Sequence, residues 1–139
     1  MYISTEAAER IVREVSLAVD RPVNLMNDHG IIIASTDLSR IGTLHQGAYE
    51  SIRDNMDCLI VRSDSDYPGS RIGINIPIRF EGQIAGVVGI RGDDYEELNR
   101  YIRLIRTTAE TLLRRSLYGN ILSRRRCDRR SGPDRKWNC

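Results

Sequence analysis

Residues 71–91 read RIGINIPIRFEGQIAGVVGIR, and this stretch decides the fold. Ile72, Ile74, Ile76 and Ile78 recur at every second position, so they share one face of a strand. Glu81-Gly82 turns the chain, and Gln83 to Ile90 returns as a glycine-rich partner strand. Pro77 has no N–H to donate, so it must sit where no ladder bond is needed. Gly73, Gly86 and Gly89 leave the hairpin short of side chains, which lets another group approach its backbone. Asn75 interrupts the isoleucines on the opposite, polar side.

Working outward, a second hairpin precedes this one. Val23 to Asn27 predicts a short strand, Asp28-His29-Gly30 a turn, and Ile31 to Ser35 the returning strand. Consecutive isoleucines at 31–33 predict cover on both faces. Before them, Ala8, Ile11, Val12, Val15 and Val19 mark a helix over about 4–19, capped by Ser4 or Thr5 and stopped at Arg21-Pro22. Leu44, Ala48, Ile52 and Met56 predict a shorter helix over 44–56, and Cys58 to Val61 a third strand. Beyond the hairpin, Leu98, Tyr101, Ile102, Ile105, Ala109, Leu112 and Leu113 stripe a last helix, begun by Asp93 or Asp94 and running to about residue 120. The order is α-β-β-α-β-β-β-α. It predicts an α+β domain of PAS or Cache type, with an antiparallel sheet of about five strands and the N- and C-terminal helices packed together.

The bulk figures agree with one domain. The chain has 139 residues, 40% hydrophobic and 29% charged, with a net charge of +2. No apolar run approaches the ~20 residues that span a bilayer, and charges stud residues 1–20, unlike a signal peptide. Cys58, Cys127 and Cys139 are odd in number and widely spaced, so free thiols and a cytoplasmic, reducing setting are expected. Residues 121–139 carry six Arg and one Lys against two Asp, a net of +5, leaving −3 on residues 1–120. The expected division is therefore a folded domain over 1–120 and a basic, disordered tail over 121–139 that contains Trp137.

Several words then stand in a fixed order. Asn24-Leu25-Met26-Asn27-Asp28-His29-Gly30-Ile31-Ile32-Ile33-Ala34-Ser35 leads into Asp37, Arg40-Ile41-Gly42 and His45-Gln46-Gly47-Ala48. Gly73 to Ile78, Gly86 to Ile90 and Thr108-Ala109-Glu110 follow. Together they resemble the sugar-diacid recognition domain of bacterial carbohydrate-diacid regulators over about residues 5–117. The resemblance implies binding of small polyhydroxylated acids such as glucarate, galactarate or glycerate-like acids. In that family the domain precedes a signalling region and a helix-turn-helix, and no such DNA-binding module is expected here. Arg91 stands where the family usually has Thr, and Asp93-Asp94 replaces Glu-Pro.

A sugar diacid needs cations for its carboxylates and amide or hydroxyl partners for its hydroxyls. Arg40 follows a polar connector and its planar fork suits a carboxylate. On residues alone it is equally a surface arginine paired with Asp37, and the resemblance assigns it to binding. His45, read as lying one residue into the second helix, can donate to the ligand or face solvent. Gly47 and Ala48 offer backbone N–H groups at a helix start, or serve only close packing. Asn75 can read a hydroxyl, and the resemblance adds its neighbour Pro77. Arg91 is the candidate for a second carboxylate, although Arg71, Arg79 and Arg91 together also read as a solvated face. Ser35 adds a hydroxyl or bonds to backbone.

No Ser-His-Asp or Cys-His set, metal-ligand spacing or nucleotide-binding glycine motif can be assembled, so neither an enzyme nor a cofactor is expected. A homodimer through the surplus turns of the last helix is expected. The competing reading is a ligand-free dimerisation or interaction module that works through its basic tail.

Overall fold

The computed structural model describes residues 2–130, with side chains through Gly119. Helix α1, Thr5–Val19, begins where the Ser4 hydroxyl accepts from the Ala7 N–H at 3.1 Å. It buries Ala8, Ile11, Val12, Val15 and Val19, the stripe legible in the sequence. The chain then forms strands β1, Val23–Asn27, and β2, Ile32–Ser35, and a 3-10 turn at Leu38–Arg40. Helix α2, Gln46–Arg53, strand β3, Leu59–Val61, the hairpin β4, Gly73–Phe80, with β5, Gln83–Arg91, and helix α3, Tyr95–Arg130, complete it.

Five strands make one antiparallel sheet in the order β2-β1-β5-β4-β3. The hairpin quoted first occupies its centre. Ile74, Ile76 and Ile78 face the same way, as their alternation requires, and are 0–1% exposed. With Leu25, Val88 and Ile90 they pack against Ile11 and Val15 of α1 and Ile105, Ala109 and Leu113 of α3. The two terminal helices thus lie together on one face. The opposite face has a much smaller apolar cluster of Met26, Ile32, Ala48 and Val87 beneath α2. Ile32 joins this cluster while Ile33 packs on the main core, so the isoleucine run does serve both faces.

Several boundaries are corrected. Helix α2 spans eight residues, fewer than the expected 44–56. His45 precedes it as its cap, with an extended backbone, and Asn55 turns left-handed just after it. Helix α3 extends to Arg130, past the expected end near 120. The physical reason is composition: residues 120–130 hold neither Gly nor Pro, and the breakers come only at Ser131-Gly132-Pro133. The first ten residues of the expected tail are therefore helical. Residues 131–139, with Trp137, lie outside the described residues. No helix among the described residues is long and apolar enough to cross a membrane.

Candidate ligand-binding site

Strand register brings the site together. Ser35 pairs with Asn24, Asn24 with Gly89, Gly89 with Asn75, and Asn75 with Leu59. This rung crosses all five strands on the α2 side of the sheet. Two amides flank a glycine at its middle, where the neighbouring Met26–Val87 pair is apolar. Above this polar floor lies a cavity of about 70 Å³. Its walls include Asn24, Thr36, Asp37, Arg40, His45, Arg71, Asn75, Gly89 and Arg91.

Three guanidinium groups meet there. Arg40 is half-buried on the 3-10 turn, and its Nη2 donates to the Gly69 carbonyl. Burial, then the neighbouring charge of Arg71, pulls the Arg40 pKa below its ordinary value, with Arg91 adding to this and Asp37 and Asp64 opposing it. Arginine nevertheless stays charged at any physiological pH. Arg71 lies 3.7 Å from Asp64, and Arg91 has no ion pair among the described residues. Asp37 is already engaged: its Oδ1 accepts from the Ser39 hydroxyl and N–H, which lowers its pKa. A small anion would relieve this crowding of like charge.

His45 is 3% exposed. Its Nδ1 accepts from the Ala48 N–H at 3.0 Å and lies 3.1 Å from the Ser70 hydroxyl. The Ser70 oxygen itself accepts from the Gly47 N–H, and with Nδ1 unprotonated its hydroxyl can only donate across the 3.1 Å contact, sharing the single Nδ1 lone pair with the Ala48 N–H. Burial, then the charge of Arg40, pushes the His45 pKa down to about 4, so the ring is neutral at pH 7. With Nδ1 accepting, the remaining proton sits on Nε2. Nε2 has no hydrogen-bond partner among the described residues. Neither does the side-chain amide of Asn75, although Asn75 is only 2% exposed.

Four of the expected ligand residues thus meet at the cavity: Arg40, His45, Asn75 and Arg91. Four do not. Gly47 and Ala48 are corrected to packing and capping, because their N–H groups are already spent on Ser70 and His45. Ser35 is corrected to a supporting residue: its hydroxyl donates to Asn24 Oδ1 and accepts from the Asp37 N–H. Pro77 is buried one rung away, beside Val87, and is not in the cavity wall. Since β3 ends opposite Asn75, Pro77 lies past the last rung on that side. Sequence reasoning passed over Asn24 and Ser70 and left Arg71 as a solvated residue. The placement of Asn24 opposite Gly89 is visible only in the register.

The profile of the family described as "Putative sugar diacid recognition" matches residues 3–131. The carbohydrate diacid regulator of Escherichia coli (strain K12) is 36% identical over 126 residues, which cover 88% of this chain and 32% of that protein. An uncharacterized protein of Bacillus subtilis (strain 168) is 28% identical over 117 residues, 84% of this chain and 32% of that one. The chain therefore spans about a third of the length of the curated relatives it matches. Among solved structures, residues 122 to 287 of a methyl-accepting chemotaxis protein superpose with a TM-score of 0.58 at 16% identity, over 80% of this chain and 88% of that one. The GAF domain of an Acinetobacter phosphoenolpyruvate-protein phosphotransferase gives 0.57 at 10% identity, over 84% and 86%. At such identities the likeness is one of fold. The expected α+β arrangement with a five-stranded antiparallel sheet is what the chain shares with these GAF-like domains; the finer PAS or Cache label was drawn from element order alone.

Proposed function

The chain belongs to the sugar-diacid recognition family, and from that premise we propose that its cavity binds a small hydroxylated organic acid as a sensor. The supporting observation is that the Asn75 amide and His45 Nε2, on residues 2% and 3% exposed, have no protein partner among the described residues and open into the cavity beneath three arginines. Hydrogen-bonding groups that face a cavity with no protein partner are free to pair with the hydroxyls and carboxylate of a small polar ligand. Arg40, with Arg71 and Arg91, takes the carboxylate. Asn75 and Asn24 address the hydroxyls, and His45 donates from Nε2. The cavity of about 70 Å³ takes one end of the acid, and the rest extends along the arginine-lined mouth.

Binding without conversion is part of this proposal. The wall presents arginines, amides and a neutral imidazole. Ser70 is close to His45, but it is 2% exposed and lies outside the wall. We also place the domain in the cytoplasm as a homodimer joined through α3. The support is that α3 runs on past Leu117 and Tyr118, the last side chains seen packing near the sheet, and bears Leu104 at 54% exposure.

Calorimetry with a panel of aldaric and hydroxy acids tests the reading. A charge-assisted hydrogen bond is worth about 1.5–3 kcal/mol, so Arg40→Ala should weaken binding by roughly 10- to 150-fold. If the unaltered chain binds none of the panel, or Arg40→Ala binds as well as it does, the reading fails.

A further inference from the structure

Of three consecutive residues in the loop before β4, two hold side chains of the cavity wall and the third stands in it. The Gly69 carbonyl accepts from Arg40, the Ser70 hydroxyl engages His45 Nδ1, and the Arg71 side chain lies in the wall. We propose that the Gly69–Arg71 turn belongs to the binding site, with Ser70 as a positioning residue that aims His45 Nε2–H at the ligand and Arg71 as an added carboxylate contact. The proposal rests on the binding reading above.

The geometry is specific to this turn. Ser70 is buried and its hydroxyl bridges two groups, taking the Gly47 N–H at 3.0 Å and meeting Nδ1 at 3.1 Å. It therefore ties the loop to the start of α2 and fixes the imidazole at once. The neighbouring Gln46 N–H donates to the Pro68 carbonyl at 3.2 Å, which holds the same loop in place. Gly69 has a φ of +75°, and a Cβ there would overlap the Leu44 carbonyl oxygen. Only glycine brings the backbone so close to the segment that carries His45. The Gly69 carbonyl uses one of the five N–H donors of Arg40. The remaining donors stay available for a carboxylate, so the carbonyl orients the fork without exhausting it.

The test uses the full chain with glucarate, galactarate and glycerate as probes. Affinities and nitrogen-15 spectra of the His45 ring are measured for the unaltered chain, Ser70→Ala, Ser70→Thr and Arg71→Gln. The proposal expects the unaltered His45 to be the Nε2–H tautomer, with that resonance shifting on addition of the bound acid. Ser70→Ala should change the Nδ1 resonance and weaken binding about tenfold, Ser70→Thr should restore both, and Arg71→Gln should also weaken binding. A purely structural Ser70 would lower the melting temperature while leaving His45 resonances and affinity unmoved, and that result overturns the proposal. An Nδ1–H tautomer in the unaltered chain, measurable whatever the variants do, overturns it too. If the unaltered chain binds none of the three acids, the binding reading falls and takes the ligand-directed role of Ser70 with it. Binding by the unaltered chain that Ser70→Ala leaves intact sinks the proposal alone.

Discussion

A Cβ on Gly89 would stand 2.9 Å from Asn75 Oδ1 and 3.2 Å from Met26 Cε, so the Asn75 amide occupies the space that glycine leaves open. Gly89→Ala should displace that amide and weaken acid binding several-fold while the chain stays folded, as calorimetry and circular dichroism would report together. His45 carries a second prediction at this scale. Its folded pKa of about 4 lies below its ordinary value of 6.5. The unfolded chain therefore takes up a proton that the folded ring refuses, and stability falls as pH drops from about 6.5 to about 4. Each pKa unit is worth 1.36 kcal/mol, so the loss approaches about 3 kcal/mol. Urea unfolding between pH 7.5 and 4 should show a steeper decline for the unaltered chain than for His45→Gln, and parallel declines would count against the assignment. Arg40, His45, Asn75 and Arg91, which line the cavity, were named in the sequence from side-chain chemistry and, for Arg40, from the family resemblance. Ser70 was not, since its partner lies 25 positions away and nothing local marks the contact.

At the scale of elements, period-two isoleucines named the central strand and its buried face. Ile76 is fully buried at the heart of that face. Ile76→Ala should cost about 2–5 kcal/mol in denaturant unfolding, and a loss under 1 kcal/mol would mean that the core is not where the register puts it. Helix ends were less legible. The approach to α2 includes Leu44, which suits a helical stripe but is 45% exposed and lies before the cap. The start is set by His45 Nδ1 accepting from the Ala48 N–H, with Ser70 and Pro68 taking the N–H groups of Gly47 and Gln46. Helix α3 shows the opposite effect. A switch from apolar stripe to arginine run read as an end, yet the backbone continues while no residue breaks it.

The whole molecule is a sheet with unequal faces. One carries two long helices and nearly all the apolar core, and the other carries eight residues of α2 and a polar rung. That asymmetry leaves room for a ligand beside α2, and the dimer proposed through α3 is tested separately. Light scattering should report twice the monomer mass, and Leu104→Glu should shift it toward the monomer. A monomer at all concentrations would refute the dimer.

The most direct test of the central claim is a nitrogen-15 correlation spectrum of the side-chain amides during titration with galactarate or glycerate. The account predicts that the Asn24 and Asn75 amide resonances move together, saturate with the acid and stop responding in Arg40→Ala. Saturable binding that leaves both amides unmoved, with shifts confined to other faces of the domain, would contradict it.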